Sequence, residues 1–354
     1  MVLNGPVPRR RFHLQTDRLT IRMLAHGDVT PLTHYRKLPD VARYQDWPMP
    51  YTRDLAHELV DEMDTLAGPT PGRWVQLAIV TGDPDGPMIG DLAVWLDADA
   101  TLAMIGYTLD PAHQGEGYAV EAVDGIIGWL FRRKHVHRIA ATIDPRNLAS
   151  ARVLERCGFE YVGTARSSAL SRGGWTDDAR FSLLEPDWRA WRRRPTGAPK
   201  RVELVEITAD NVREVGHLDR AFSQRGFVSP VLESLAEALV PPTIRGDLVR
   251  PWFRAITADG DLAGFVLMAE PYRGRPHPYL WRLVVDARHQ GRGIGRRAVE
   301  QIIAERKAAG FTGITVSYVA GEPGAPAPFY ERLGFVPTGR VDDGEVEAVL
   351  DLSV

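Results

Sequence analysis

An internal repeat constrains the fold more than any other feature of the sequence. Residues 113–117 (His-Gln-Gly-Glu-Gly) recur as residues 289–293 (His-Gln-Gly-Arg-Gly), 176 positions further along. Residues 157–159 (Cys-Gly-Phe) recur as residues 333–335 (Leu-Gly-Phe) with the same offset. Two separate motifs that share one offset, in a chain of 354 residues, indicate a duplication of about half the chain. The sequence therefore predicts two similar domains rather than one large domain.

The composition is that of an ordinary globular protein. Hydrophobic residues make up 44% of the chain and charged residues 25%, which suffices for two sizeable cores without disulfides or a structural metal. A net charge of −3 argues against a general nucleic-acid binder, which needs a basic excess to neutralise phosphates. Cys157 is the single cysteine, so an intrachain disulfide and a multi-cysteine metal site are excluded. We expect no bound metal.

The sequence shows neither a membrane-spanning segment nor a signal peptide. No apolar run approaches the ~20 residues of a membrane span. The first twelve residues contain a basic run but no apolar stretch after it, which argues against a signal peptide. We therefore expect a cytoplasmic protein that binds neither membranes nor nucleic acid. The sequence carries no signal for an oligomeric state.

The two halves are joined by a segment of distinct composition. Residues 188–200 combine a basic run with proline and glycine and show no apolar period, which is typical of a solvated linker. A basic surface for an acidic partner is the alternative interpretation. Residues 202–207 then alternate as a strand does. We predict domains at 10–190 and 202–354, with a linker at 191–201.

Each repeated glycine loop lies between a predicted strand and a predicted helix. Ahead of the second loop, residues 279–285 are β-branched and apolar, and after it residues 296–309 show helical spacing before Gly310. The first loop follows a strand predicted at 102–109 and precedes a helix predicted at 119–134. This order of elements predicts a mixed α/β fold in both halves.

A glycine loop at a strand–helix junction suits a pyrophosphate. Glycines let the backbone approach the ligand, and the helix N-terminus adds unpaired N–H donors and a favourable dipole. Around the second loop, Arg288, Arg292, Arg296 and Arg297 add positive charge. The first loop contains Glu116, so we expect it to be electrostatically weaker.

Other glycine-loop motifs fit less well. The dinucleotide fingerprint requires a third glycine where these loops have Arg296 and Val120, and a Walker-type loop requires Gly-Lys-Ser/Thr. A purely structural turn stays open for either loop taken alone. Duplication on the same kind of junction favours ligand binding.

The two loops resemble the acetyl-CoA loop of the GNAT superfamily of N-acetyltransferases, which reads Q/R-x-x-G-x-G/A. The matching residues are Gln290, Gly293 and Gly295 in the second copy and Gln114, Gly117 and Ala119 in the first. The resemblance implies two tandem GNAT acyltransferase domains of mixed α/β (α+β, mixed-sheet) class. It also implies acetyl-CoA as co-substrate.

The first half resembles the branch that acetylates protein N-terminal amines and ribosomal proteins. The similarity lies at residues 14–22, which match an opening strand, at 115–122 and at 147–159. It implies that Asn147 contacts the pantetheine arm and that Ser150 lies near the thioester sulfur. Asn147 and Gly158 are also suited to cap a short helix, and this reading alone would explain them.

The second half resembles diamine and spermidine acetyltransferases. The similar stretches are 224, 227–228, 250–256, 264–268, 280–283, 329–335, 338–339 and 343–345. The resemblance implies that Tyr330 is the general acid. The usual asparagine of the family is replaced within residues 320–328, which leaves the pantetheine contact of this copy open.

Acetyl transfer requires a polarised carbonyl, a neutral amine and an acid for the leaving thiolate. A backbone N–H near Val284 or Val285 would stabilise the oxyanion, and Tyr330 would protonate the thiolate. A core tyrosine is the alternative reading of Tyr330. The first copy has Leu154 at the equivalent position, so Ser150 or water would have to replace the acid there, and we expect Ser150 to orient rather than protonate. We therefore predict catalysis in the second domain.

The acceptor amine requires acidic or aromatic groups. The candidates are Glu345, Glu347, Glu270, Trp252 and Trp281, and Glu345 is the strongest because it lies in the Asp-Gly-Glu of the resemblance. We assign no catalytic role to His113 or His289. The predicted catalytic residues are thus Tyr330, Glu345 and Ser150.

The predicted acetyl-CoA contacts fall in both copies. In the second domain they are Val284, Val285, Gln290, Gly291, Arg292, Gly293, Gly295 and Arg296. In the first they are Leu109, Gln114, Gly115, Gly117, Tyr118, Ala119 and Asn147.

The predicted function is acetylation of the primary amine of a small cationic acceptor, polyamine-like or aminoglycoside-like. Three alternatives stay open. The chain could bind acetyl-CoA as a sensor or scaffold without turnover, or acetylate protein N-terminal amines through its first domain. The first domain could also be a pseudo-copy that completes the site of the second.

Overall fold

A computed structural model describes residues 11–171, 173–244, 246–322 and 324–353. Most of the segment that bears on a signal peptide, residues 1–10, lies outside these residues. The chain divides into two compact units, one ending at Arg193 and the other beginning at Arg194. Within the described residues, no helix is long and apolar enough to cross a membrane.

The first unit contains an eight-stranded mixed sheet in the order β1-β2-β3-β4-β5-β6-β8-β7. Its strands are β1 (His13–Gln15), β2 (Leu19–Met23), β3 (Trp74–Thr81), β4 (Met88–Leu96), β5 (Leu102–Leu109), β6 (Arg138–Ile143), β7 (Glu160–Ser171) and β8 (Gly174–Leu184). Its helices are α1 (Val29–Arg36), α2 (Pro39–Ala42), α3 (Arg53–Asp64), α4 (Tyr118–Trp129), α5 (Leu148–Arg156) and α6 (Glu185–Arg193). A wider helical turn, Leu130–Lys134, extends α4.

The second unit contains a seven-stranded mixed sheet in the order β16-β17-β15-β14-β13-β12-β9. The strands are β9 (Val202–Val205), β12 (Pro251–Ala258), β13 (Asp261–Ala269), β14 (Tyr279–Val285), β15 (Gly313–Val319), β16 (Val336–Asp342) and β17 (Glu345–Asp351), with a separate hairpin of β10 (Thr243–Ile244) and β11 (Asp247–Leu248). The helices are α7 (Val212–Gly216), α8 (Val231–Leu239), α9 (Ile294–Ala308) and α10 (Ala327–Glu331).

Each sheet contains one parallel pair of strands, and in both units that pair separates along its length. Strands β5 and β6 pair only from Leu102 to Met104 on β5. Strands β14 and β15 pair only at Tyr279 and Leu280 of β14. Both sheets therefore open toward the carboxyl ends of the parallel strands, beside the repeated glycine loop.

The helix that follows each loop is held by the apolar stripe visible in the sequence. In α4 and its extension the buried residues include Ala122, Val123, Ile126, Ile127 and Leu130. In α9 the buried apolar residues are Ile294, Ala298, Val299 and Ile302. Their i, i+3, i+4 spacing puts them on one face of each helix, which packs against the sheet. The start of each helix is thereby fixed next to the loop.

The opening strand predicted at 14–22 is wrong, because the structure has a hairpin there. Strands β1 and β2 pair antiparallel, with Leu14 opposite Ile21. Thr16 closes the turn, since its N–H donates to the Leu19 carbonyl at 2.8 Å. The turn residues Asp17 and Arg18 are polar, and alternation alone does not reveal the reversal of direction.

The solvated linker predicted from residue 188 onward is wrong for residues 188–193, which are helical. Helix α6 continues to Arg193, and Trp188 is only 5% exposed, with its ring 5.3 Å from that of Phe131. Trp188 and Trp191 are three residues apart and therefore share a helix face. Acidic residues in the first turn and arginines in the last complement the helix dipole.

The end of the same segment is bound to the second unit. The Gly197 carbonyl accepts a hydrogen bond from Arg292 at 2.9 Å. Arg297 donates to the carbonyls of Pro199 and Lys200, and Pro199 is buried. The backbone carbonyls of this segment thus accept hydrogen bonds from arginines that are distant in sequence. The local composition could not predict these bonds.

Candidate functional site

The two glycine loops have the same internal support. The Gln114 side chain donates to the Leu109 carbonyl at 3.2 Å. At the equivalent place in the second unit, Gln290 donates to the Val285 carbonyl at 3.1 Å. Each glutamine therefore ties its loop to the end of the preceding strand. Gln290 also donates to Gln224, at 2.6 Å.

An aspartate follows each of these strands and caps the turn into the loop. Asp110 accepts a hydrogen bond from the Ala112 N–H, and Asp286 accepts one from the Arg288 N–H, both at 3.0 Å. The duplication thus extends to hydrogen bonds that neither repeated motif contains.

The loop glycines adopt conformations that other residues rarely do. Gly115 and Gly117 have φ of 84° and 82°, and Gly291 and Gly293 have φ of 75° and 76°. Gly117 and Gly293 are the residues from which α4 and α9 begin. A Cβ atom added to Gly115, Gly291 or Gly293 would have no protein atom within 4 Å. The loops therefore present open backbone at helix N-termini, which fits a pyrophosphate.

The residues after these glycines place the helix start close to the strand. A Cβ atom on Gly295 would lie 3.4 Å from the Val285 side chain and 3.7 Å from Phe329. In the first unit, Tyr118 and Ala119 form the first turn of α4. These predicted contacts therefore lie on the first helical turn beside the loop.

Two of the four arginines expected to charge the second loop are paired with acids. Arg288 forms an ion pair with buried Asp286 at 2.8 Å, and Arg296 forms one with Glu300 at the same distance. Their positive charge is therefore partly neutralised within the protein.

The other two arginines support the loop from inside. Buried Arg292 shares a hydrogen bond of 2.9 Å with the Nδ1 of His289 in addition to its bond to Gly197. Burial lowers the pKa of His289, which keeps this histidine neutral beside the guanidinium. Arg297 is bonded to the backbone of residues 199–200. The second loop therefore has less positive charge available for a ligand than its sequence suggests.

The first loop gains a cation that sequence analysis missed. Arg18, in the β1–β2 turn, donates to the Glu116 carbonyl at 3.1 Å, and its guanidinium lies 4.4 Å from the centre of the Tyr118 ring. It also forms a 2.6 Å ion pair with Glu121. Burial opposes ionisation of Glu121, but hydrogen bonds from Thr16 and Arg18 outweigh it and lower its pKa. Arg18 lies about a hundred residues from the loop, and no local pattern indicates this contact.

Tyr330 lies on α10 with its ring in the core of the second unit. It is 8% exposed, stacks on Tyr318 with ring centres 5.5 Å apart, and meets Phe329 and Phe335 edge-on. Burial raises the pKa of Tyr330 well above its ordinary value, with the neighbouring Tyr279 and Glu345 adding to the effect. Within the described residues, its hydroxyl has no hydrogen-bond partner.

Glu345 begins β17, directly opposite Val319 at the open end of β15. It is half-buried, and its charge adds to the effect of burial in raising the pKa of both Tyr330 and Tyr279. Its partner in the ladder, Val319, is the neighbour of Tyr318, on which Tyr330 stacks, so both residues flank the carboxyl end of β15.

The other acceptor candidates are engaged by arginines of their own domain. Glu347 pairs with Arg275 at 3.3 Å and Glu270 with Arg306 at 2.7 Å. Arg306 also lies 4.8 Å from the Trp252 ring, and Arg282 lies 5.7 Å from the Trp281 ring. Among these five candidates, and within the residues described, Glu345 is the one without an arginine partner.

Strand β14 contains a bulge that the sequence did not reveal. Leu267 of β13 pairs with Arg282, but the next residue, Met268, pairs with Leu280, so Trp281 is an extra residue. The ladder then continues through Val284 and Val285. A bulge leaves backbone groups unpaired, and this one lies where β14 has left β15. The stretch that can offer an N–H to an oxyanion therefore runs from residue 281 to 285.

In the first unit, the predicted helix caps are present. Asn147 accepts a hydrogen bond from the Ser150 N–H at 3.1 Å, and Gly158, with φ of 89°, follows the end of α5. The Ser150 hydroxyl donates to Tyr107 of β5 at 2.9 Å. Leu154, the counterpart of Tyr330, is buried.

Comparison with known protein families agrees with this geometry. A model described as an acetyltransferase (GNAT) domain matches residues 18–160. A second, described as the acetyltransferase (GNAT) family, matches residues 223–335. The chain belongs to the GNAT acetyltransferases. It is an acyltransferase with two GNAT domains, and the predicted family, fold class and enzyme class are confirmed.

Three similar proteins are named as N-acetyltransferases. Probable N-acetyltransferase YjcK of Bacillus subtilis (strain 168) is 40% identical over 105 residues, 29% of this chain and 58% of the relative. Uncharacterized N-acetyltransferase p20 of Bacillus licheniformis is 29% identical over 177 residues, 49% of this chain and 97% of the relative. The ribosomal protein uS5-alanine N-acetyltransferase of Escherichia coli (strain K12) is 38% identical over 88 residues, 25% and 45% of the two chains. The matches thus span little more than half of the first relative and under half of the third.

Proposed function

We propose that this protein transfers an acetyl group from acetyl-CoA to the primary amine of a small cationic acceptor, polyamine-like or aminoglycoside-like, and that the second domain performs the chemistry. The observation that carries the proposal is that Glu345 and the buried phenol of Tyr330 flank the carboxyl end of β15, where the sheet opens. The Glu345 carboxylate is half-buried and has no arginine partner among the described residues, and burial keeps the Tyr330 phenol neutral by raising its pKa. A carboxylate recognises an ammonium group, and a phenol donates to a leaving thiolate.

The residues of the second domain have separate parts in this reaction. Acetyl-CoA supplies an activated acetyl thioester when it is bound. The backbone of residues 291–295 holds the pyrophosphate at the start of α9. N–H groups of β14 between residues 281 and 285 stabilise the oxyanion. Glu345 binds the acceptor amine, whose excess proton goes to solvent, and Tyr330 protonates the thiolate.

The raised pKa of Tyr330 bears directly on its part. A phenol whose pKa lies above its ordinary value of ~10 stays protonated throughout the neutral range. It is therefore always available as a donor. The same burial makes it a weaker acid, so donation coincides with breakage of the C–S bond rather than preceding it.

A second candidate function concerns the first domain, which would acetylate protein N-terminal amines. The relative named as a ribosomal protein uS5-alanine N-acetyltransferase, 38% identical over 88 residues, supports this candidate. The sensor alternative requires binding without turnover, and Tyr330 argues against it in the second domain.

An amine panel tests the proposal. The whole chain is incubated with acetyl-CoA and, in turn, spermidine, a diamine, an aminoglycoside and an alanine-initiated peptide, and thiol release is measured. We expect a cationic small amine to be the best acceptor. Glu345→Gln should raise the KM for that amine about tenfold, the effect of losing one charged hydrogen bond, and leave the KM for acetyl-CoA unchanged.

The matched control is Glu305→Gln, which removes an exposed carboxylate from α9 of the same domain. It should change neither KM. If no amine in the panel is acetylated while acetyl-CoA binds, the sensor alternative is supported and the proposal fails. If the peptide is the only acceptor, the N-terminal acetylation alternative replaces it.

A further inference from the structure

A group of charged side chains lies on one face of the second sheet, the face on which α8 packs. The bulge in β14 decides which residues of that strand belong to it. Tyr279 lies opposite Ala269 and Arg282 lies opposite Leu267, whose side chain packs against α8. Since alternate residues of a strand share a face, Tyr279 and Arg282 lie on the same face although they are three apart in sequence. Without the extra residue, Arg282 would point to the other face.

The neighbouring strands add carboxylates to this face. Tyr279 pairs with Thr315 of β15, and Ser317, two residues further on, pairs with Glu347 of β17. Glu345 is two residues before Glu347 on the same strand. Residues that lie directly opposite each other, and alternate residues of one strand, point to the same side of a sheet. Both glutamates therefore lie on the face that carries Tyr279, where β14 and β15 separate.

Two arginines contact carboxylates on this face in long ion pairs. The guanidinium of Arg275, in the loop before β14, lies 4.0 Å from the centre of the Tyr279 ring and 3.3 Å from Glu347. Arg282 lies 3.5 Å from Glu237 of α8. A charged hydrogen bond between nitrogen and oxygen usually measures ~2.7–2.9 Å. These two contacts are longer, so each arginine keeps hydrogen-bonding capacity.

The unused capacity can be assigned to particular atoms. Among the residues that the structure describes, the Nη1 of Arg275 and the Nε of Arg282 are buried and have no hydrogen-bond partner. A buried N–H without an acceptor is costly, so an acceptor atom from a ligand would stabilise both side chains. Burial raises the pKa of Tyr279, and the positive charges of both arginines oppose the rise, which agrees with two cations beside this ring.

We propose that the acceptor of the second domain is a diamino acid, whose carboxylate is bound by Arg275 and Arg282 while Glu345 binds the amine that is acetylated. The inference rests on the proposed function and narrows its polyamine-like acceptor to one that also carries a carboxylate. Guanidinium groups are planar and present paired N–H donors, which match the two oxygens of a carboxylate.

The balance of charge on this face favours a diamino acid over other anionic ligands. Glu237, Glu345 and Glu347 face two arginines, which leaves one negative charge in excess. Arg340 also approaches Glu347, at 3.8 Å, but it is exposed, so solvent screens its charge. A diamino acid with two ammonium groups and one carboxylate has a net charge of about +1 at neutral pH and balances this excess. A phosphate would place about two negative charges among three carboxylates.

Matched pairs of acceptors test the proposal. Thiol release from acetyl-CoA is measured for the whole chain with ornithine and putrescine, and with lysine and cadaverine. The members of each pair differ only in the carboxylate. We expect kcat/KM to be about tenfold higher for the better diamino acid than for its diamine, the effect of one charged hydrogen bond. Arg275→Gln and Arg282→Gln should each bring this ratio close to one. A purely structural role would lower both rates alike and leave the ratio unchanged.

The matched control is Arg254→Gln. Arg254 of β12 also forms a long ion pair, 3.6 Å from Glu206, and it donates to the carbonyl of the residue before it, as Arg282 does. It lies opposite Val266, which belongs to the core on the other face of the sheet. Its ratio should equal that of the unmodified chain.

The contradicting outcomes separate this inference from the proposed function. Equal kcat/KM within each pair overturns the carboxylate site and leaves an amine acetyltransferase, and so does a preference that persists in Arg275→Gln and Arg282→Gln. Acetylation of an aminoglycoside but of neither pair also overturns the diamino acid. If no small amine is acetylated at all, the proposed function itself fails.

Discussion

Replacement of Gly293 by aspartate is expected to lower kcat/KM for acetyl-CoA in the second domain at least a hundredfold. Gly293 has φ of 76°, which costs other residues about 1 kcal/mol. The added carboxylate would stand on the backbone that faces the pyrophosphate. Two unit charges about 4 Å apart repel by roughly 4 kcal/mol near a protein surface. This repulsion alone exceeds the ~2.7 kcal/mol that a hundredfold change requires, whereas the backbone cost falls on the stability of the fold.

The fold should survive this substitution. A Cβ atom at Gly293 meets no protein atom within 4 Å, so the side chain has room. Gly260→Asp is the matched control, because Gly260 has φ of 94° with equally open space but lies in the turn between β12 and β13. Both variants should unfold at similar temperatures, and only Gly293→Asp should lose activity. Equal activity in the two variants would contradict pyrophosphate binding at this loop.

Tyr330→Phe is expected to lower kcat by about a hundredfold or more, which is the usual contribution of a general acid. The Kd for acetyl-CoA should stay within about twofold, because the ring keeps its packing on Tyr318 and Phe335. The free energy of unfolding should change little, since within the described residues the lost hydroxyl has no hydrogen-bond partner. Assays of thiol release measure kcat, titration calorimetry measures the Kd, and thermal or denaturant unfolding measures the free energy of unfolding.

Tyr318→Phe is the matched control for Tyr330→Phe. Tyr318 stacks on Tyr330 with ring planes 11° apart, so the control removes a phenolic hydroxyl from the same aromatic cluster. We expect its kcat to stay within about twofold of that of the unmodified chain. Equal rates in Tyr330→Phe and the unmodified chain would make Tyr330 a core residue and leave the thiolate to solvent.

Elements with a clear local pattern could be predicted from the sequence. The strands at 279–285 and 102–109 have the predicted bounds, and α9 begins two residues before its predicted start. These three elements could be predicted because the spacing of their apolar residues shows which of their faces are buried. The glycine loops followed from the repeat, and their positive φ angles explain why glycine recurs there.

Features that depend on distant partners could not be predicted. Arg18 reaches the first loop only because β1 and β2 form a hairpin beside α4. The bulge at Trp281 arises from the register with β13, which no stretch of β14 encodes alone.

The acceptor side shows the same limit of local patterns. The sequence shows which carboxylates and aromatic rings are present, but not which of them contact an arginine in the folded protein. Only the resemblance favoured Glu345 over Glu347 and Glu270 in the sequence, whereas in the structure each of the latter two forms an ion pair with an arginine of the second unit. Tertiary pairing therefore reduces five candidates to one.

Titration calorimetry of acetyl-CoA against the whole chain tests the central claim, that both domains bind the co-substrate through their glycine loops. We predict two sites per chain for the unmodified protein. Gly117→Asp and Gly293→Asp should each leave one site, and the double variant should leave none. A single site in the unmodified chain, or two sites that persist in the double variant, would contradict the claim.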